Sequence, residues 1–140
     1  MTIEERQQEI ISEFQMFTDW MEKYEYIIEL GKDLPLIDAQ YKVDDNLIRG
    51  CQSRVWLHAE MADGKINFTA DSDAIITKGL VALVVRVLSH ATPAAIAEAD
   101  LFFVKEIGLN EHLSPTRSNG LASMIKQMKI YALAFASRQL

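Results

Sequence analysis

The stretch Val55-Trp56-Leu57-His58-Ala59-Glu60-Met61-Ala62-Asp63-Gly64-Lys65-Ile66-Asn67-Phe68-Thr69 decides the fold class. Val55, Leu57, Ala59 and Met61 alternate with Trp56, His58, Glu60 and Ala62, and Ile66 and Phe68 alternate with Asn67 and Thr69. A period of two places successive side chains on opposite faces of a strand, and Asp63-Gly64 supplies the positive φ angles of a tight two-residue turn. This pattern predicts a β-hairpin. Downstream, Asp71-Ser72-Asp73 is expected to cap a helix from Ala74 to about Ser89. Its Ile75, Ile76, Leu80, Leu83, Val84, Val87 and Leu88 cover nearly every face, as in a centrally buried helix. Upstream, Pro35 and the polar run Asp38 to Asn46 form a connection, and Leu47-Ile48 leaves room for only a short strand around 47–49.

The flanking segments are helical. Thr2 and Glu5 have capping-box spacing ahead of Ile3, Gln7, Ile10, Ile11, Phe14 and Phe17. Asp19 and Glu22 begin a second helix through Trp20, Tyr24, Ile27 and Ile28, with Gly31 as its expected stop. Thr92-Pro93 opens a short helix from Ala94 to Ala99, another runs from Leu101 to Ile107 against Gly108, and Ser114-Pro115 opens a long terminal helix. Leu121, Met124, Ile125, Met128, Tyr131, Ala132 and Phe135 mark one stripe of it. The sum is an α+β fold, a small antiparallel sheet of about three strands packed against several helices, in a single domain spanning 1–140.

Composition narrows the chemistry. Fourteen Lys and Arg against twenty Asp and Glu give a formal charge of −6, which disfavours broad binding to nucleic acid or an anionic membrane. The polar, acidic start lacks the order of a secretory signal, and Leu80 to Val85 is far too short to span a bilayer, so a cytoplasmic location is expected. One cysteine, Cys51, can neither close an internal disulfide nor build a multi-cysteine metal cage. Its sulfur is either packing or chemistry.

Cys51 lies in Arg49-Gly50-Cys51-Gln52-Ser53, a polar, glycine-containing loop without helical or strand periodicity, whereas inert cysteines favour apolar cores. A working sulfur acts as thiolate, a form that Arg49 or a nearby helix N-terminus would favour. A cysteine hydrolase would need a histidine base, and His58, His90 and His112 are the candidates, none with diagnostic spacing. No CxxC or HxxxH pair points to a metal. Ser114-Pro115-Thr116-Arg117-Ser118-Asn119 gathers polar side chains at a helix start that could receive an anion or thiolate, or act only as a cap.

Four blocks in order, Glu22 to Gly31, Gly50-Cys51-Gln52-Ser53-Arg54-Val55-Trp56, Asp71 to Leu80 and His112 to Leu121, span nearly the whole chain and resemble the SufE/CsdE family of cysteine-desulfurase partners. The resemblance implies a SufE/IscU-like fold and a sulfur acceptor for iron–sulfur cluster assembly. In that family the cysteine of the matching block, here Cys51, takes sulfane sulfur as a persulfide, stimulates the desulfurase and passes the sulfur to a scaffold complex. By the same resemblance Gly50, Gln52 and Ser53 form the reactive loop, which can tuck the cysteine into an apolar recess. Asp73 matches a position that influences loop mobility, and Arg117 matches the arginine beside it. The implied partners are a SufS/CsdA-type cysteine desulfurase and an Fe–S scaffold complex. No cofactor or metal is expected on this chain, pyridoxal phosphate residing on the desulfurase. The alternatives are a Cys–His hydrolase using Cys51 and a non-covalent regulatory binding module.

Overall fold

The computed structural model describes residues 1–138; Gln139 and Leu140, the last two residues of the domain expected over 1–140, lie outside the described residues. The hairpin forms as its alternation requires. β1 (Val55–Ala62) and β2 (Lys65–Ser72) pair antiparallel from Val55↔Ser72 to Ala62↔Lys65, and Asp63 (φ 53°) and Gly64 (φ 78°) make the turn. Val55, Leu57, Ile66, Phe68 and Ala70 are buried.

The sheet has two strands, not about three. Leu47 makes only an isolated bridge to Trp56, with the Ile48 N–H donating to the Val55 carbonyl at 2.9 Å. A 3-10 turn at Asp44–Asn46 delivers this pair and Gly50, at φ +92°, swings the chain away, so no longer register is available. The outer edge of β2 is covered in the same piecemeal way. Ile37 and Pro35 bond Ala70, while His90 and Ala91 bond Ile66. Irregular segments thereby satisfy edge groups that would otherwise invite another chain.

Seven helices enclose the hairpin among the described residues: α1 (Ile3–Phe14), α2 (Trp20–Gly31), α3 (Ile75–Leu88), α4 (Pro93–Glu98), α5 (Phe103–Glu106), α6 (Leu109–His112) and α7 (Pro115–Arg138). The reciprocal capping box of Thr2 and Glu5 starts α1, and the Asp19 carboxylate accepts from the Glu22 N–H at 2.9 Å to start α2. α3 is the central helix, with Leu80, Val81, Leu83, Val84, Val85, Val87 and Leu88 all buried. Its start departs from expectation. Asp71 and Ser72 belong to β2, the cap residue is Ala74 with no side-chain bond, and Asp71 instead pairs with Lys42 and Lys78. At its far end Arg6 donates to the carbonyls of Val87, Ser89 and His90, which closes the terminus from α1.

α2 ends at Gly31 as expected, but without a left-handed cap: Gly31 lies where α2 crosses α3, and a Cβ there would stand 2.9 Å from the Gly79 nitrogen. Two glycines therefore set the closeness of this crossing. The expected helix from Leu101 to Ile107 shrinks to α5, and α6 follows the left-handed Gly108. Buried Gln7 holds this region to α1, donating to the Asp100 carbonyl and accepting from the Phe103 N–H. Among the described residues no helix is long and apolar enough to cross a membrane.

Candidate functional site

Cys51 stands where the loop leaving the Leu47–Ile48 bridge meets the first turns of α7. Gly50 makes that approach, since its φ of +92° disfavours any side chain and a Cβ would fall 2.5 Å from the Ser123 hydroxyl. The Cys51 thiol then donates to the Gly120 carbonyl oxygen at 3.5 Å. Gly120 is buried, and a Cβ on it would stand 3.3 Å from Sγ. A glycine inside a helix costs about 1 kcal/mol relative to alanine. Here it makes room for the sulfur.

The thiol borders a recess of about 410 Å³ between the loop, α3 and α7. Gln52, Ser53 and Arg117 line it with Cys51, so four residues singled out in the sequence do come together. Asp73 is not in the lining. It is exposed and acts one step away, its carboxylate accepting from the Arg54 N–H at 2.9 Å while its own N–H donates to the Arg54 carbonyl. This reciprocal pair pins the chain three residues beyond Cys51. Arg49 is exposed and faces a neighbouring depression with Asp45 and Lys126 instead of the thiol.

The recess is not the apolar pocket the resemblance implies. Leu80, Leu121 and Met124 are buried residues of its wall, but Thr77, Ser114 and Thr116 also line it with hydroxyls. Thr77 and Gly120 carried no local signal of a site, apart from the one that a glycine inside a helical pattern always carries: something approaches closely. A larger cavity, about 560 Å³ beside Arg6, Arg86 and His90, lies elsewhere and has no cysteine.

Burial raises the Cys51 pKa above the ordinary thiol range. The hydrogen bond acts in the same direction, because a neutral S–H donates to a carbonyl oxygen and a thiolate cannot. In this arrangement the sulfur is a protected thiol rather than an armed nucleophile. Stability follows the same sign. A folded-state pKa raised above the unfolded value favours the fold below the unfolded pKa, and that contribution is lost as pH rises through the folded one. Alkylation of Cys51 by iodoacetamide is therefore expected to be slower in the folded than in the denatured chain, with its half-rise displaced to higher pH. Coincident pH profiles would show an open thiol.

Gly120→Ala tests the seat of the sulfur directly. The added methyl is expected to push Sγ outward and speed alkylation by roughly two- to tenfold, while the stability change stays within about 1 kcal/mol because helix propensity gains what the contact loses. Unchanged alkylation would mean the thiol does not rest against α7.

None of the three histidines lines the recess. The His58 ring bonds Glu60 at 2.8 Å and stacks on Tyr41 at 3.6 Å between centroids. His112 stacks on Trp20 and donates from Nδ1 to the Gly108 carbonyl, and His90 sits at a left-handed turn after α3. Each has a structural explanation.

Comparison with known proteins agrees with this architecture. A solution structure of a hypothetical protein from Thermus thermophilus superposes with a TM-score of 0.78, covering 94% of this chain and 96% of that one at 18% identity, which shows a shared fold. An uncharacterized SufE-like protein of Synechocystis sp. is 38% identical over 126 residues, 90% of this chain and 79% of that protein. Residues 8–132 match the SufE family model, described as an Fe-S metabolism associated domain. With the match spanning α1 to α7 and enclosing the whole Cys51 recess, the chain belongs to the SufE family and is associated with Fe–S metabolism.

Proposed function

We propose that this chain is a single-domain, cytoplasmic sulfur acceptor and activator of a SufS/CsdA-type cysteine desulfurase, carrying sulfane sulfur as a persulfide on Cys51 and delivering it to an Fe–S scaffold complex. The observation that carries this is the chain's one thiol, held on a pinned loop at the mouth of an open recess, in a protein of an Fe–S metabolism family. The Cys51 thiolate attacks the outer sulfur of the desulfurase persulfide, and a new S–S bond forms at Sγ. The donor's S–S bond breaks, its electron pair leaves on the desulfurase cysteine, and that sulfur takes up the proton Cys51 has released. Nothing is oxidised or reduced overall, and the pyridoxal phosphate chemistry stays on the partner.

A lone cysteine suits the task. A second thiol in reach would attack the persulfide, close a disulfide and release sulfide before delivery. The resting hydrogen bond to Gly120 suits it too, since a shielded neutral thiol resists oxidation between encounters. Transfer then requires the loop to lift Cys51 off α7, and the Arg54–Asp73 pair is the restraint nearest to that movement. The test is intact-mass measurement after incubation with cysteine and a cysteine desulfurase. The expected result is the gain of one sulfur atom, located at Cys51 and removed by dithiothreitol. No gain with any desulfurase of the source organism would overturn the acceptor role.

A further inference from the structure

Charge is segregated in this chain. From Asn46 to Ala59 the only Lys, Arg, Asp or Glu are Arg49 and Arg54, and from Leu113 to Leu140 there are Arg117, Lys126, Lys129 and Arg138 without one Asp or Glu. These two stretches hold six of the fourteen cations, which leaves eight against all twenty Asp and Glu. These two stretches together therefore carry +6, and the remainder carries −12.

The fold brings the two stretches together around the thiol. Cys51 rests on Gly120, Gly50 lies against Ser123, Arg117 lines the Cys51 recess, and Arg49 and Lys126 line the adjoining depression. Arg49, Arg54, Arg117 and Lys126 are all exposed, and among the described residues none of the four enters an ion pair. Elsewhere Lys32, Lys42, Lys78 and Arg86 are paired. Two carboxylates border the patch, Asp45 in the depression and Asp73, one oxygen of which accepts the Arg54 N–H. Beside Asp73, Ile75 exposes 68% of its surface.

Unpaired like charges gathered on one face repel one another in the free protein, and that repulsion is relieved when an oppositely charged surface covers them. An extended polyanion or a lipid sheet would also meet the strongly acidic remainder of the molecule, whereas a compact acidic patch would not. We propose that the face around Cys51 is a docking surface for a protein partner whose reacting cysteine is rimmed by Asp and Glu. The cationic rim steers approach and fixes register, and the exposed Ile75 beside Asp73 adds an apolar contact. The proposal rests on the sulfur-acceptor function above and adds the chemistry of the partner's surface.

The test uses the Cys51→Ser chain, so that no sulfur transfer contributes, and the purified cysteine desulfurases of the source organism. One variant adds Arg49→Glu, Arg54→Glu and Lys126→Glu. A matched control adds Lys23→Glu, Lys32→Glu and Lys65→Glu, the same change in net charge placed on α2, just past its end and at the hairpin turn. Binding to one desulfurase is expected to weaken steeply with salt, to fall by roughly tenfold or more in the rim variant, mainly through the association rate, and to stay within about twofold in the control. If the triple rim variant does not fold by circular dichroism, Lys126→Glu alone, on an exposed face of α7, is expected to weaken binding with the same sign and smaller size. Salt-independent binding, equal loss in rim variant and control, or retention by duplex DNA or anionic vesicles with no desulfurase bound would each overturn the proposal. Sulfur gain by the wild-type chain is read separately. Gain with a rim-independent complex sinks only the docking surface, and a rim-dependent complex without gain sinks only the acceptor function.

Discussion

Gly79→Ala is expected to destabilise the fold by about 3 kcal/mol or more and to lower the thermal midpoint by roughly 10 °C. Gly79 sits in the second turn of α3, where α2 crosses. A Cβ built there would overlap the Ile27 carbonyl oxygen and stand 2.7 Å from its carbon, both of them backbone atoms of a helix that no rotamer change can move. α2 would have to lift away, and with it would go the burial of Ile27 and the packing of Leu80 and Val84. The gain in helix propensity, about 1 kcal/mol, cannot offset this. The comparison that makes the prediction sharp is Gly120→Ala, the same chemical change in another helix. There the obstacle is one side-chain sulfur on a loop, and stability is expected to hold. Chemical denaturation of the two variants side by side decides it. Equal midpoints would mean that the α2–α3 crossing is looser than its geometry states.

The same contrast explains how much is legible in the sequence. The hairpin can be read because alternation and Asp63-Gly64 are local and agree with each other, and α3 because its length and apolar surface allow little else. The two-strand limit is not legible, since the segments at 35–37, 47–48 and 90–91 bond the sheet edges through backbone groups that leave no side-chain period. Gly31 reads as a stop in the linear string, yet its purpose is a neighbour 48 residues away, Gly79, that only the fold supplies. Asp71 and Asp73 likewise look like caps, while cross-chain partners at Lys42 and Arg54 claim them. The site divides the same way. Cys51 and its loop stand out by uniqueness and by resemblance, and Arg117 by its place at a helix start. Gly120 and Thr77 do not, for the contact that seats the thiol joins residues 69 positions apart.

Cys51→Ser is expected to abolish sulfur uptake completely while leaving the fold within about 1 kcal/mol of wild type. The replacement is close to isosteric, the position is only half-buried, and a serine hydroxyl can still donate to the Gly120 carbonyl. What is lost is nucleophilicity toward sulfane sulfur, because an alcohol ionises too weakly to attack and a thiolate is the species that exchanges. Intact mass after incubation with cysteine and desulfurase is expected to show no added sulfur, and stimulation of desulfurase turnover is expected to fall with it, since an acceptor stimulates by relieving the enzyme of its persulfide. Stimulation that survives in both Cys51→Ser and Cys51→Ala would instead mark a non-covalent regulatory module, in which the thiol is packing. Ester or amide turnover by wild type, lost in Cys51→Ser, would mark a hydrolase. That outcome would require a base, and the three histidines are committed to Glu60 and Tyr41, to Gly108 and Trp20, and to the turn after α3, outside the recess. A sulfur with no base beside it, hydrogen-bonded as a neutral thiol, is suited to wait until a partner draws it out.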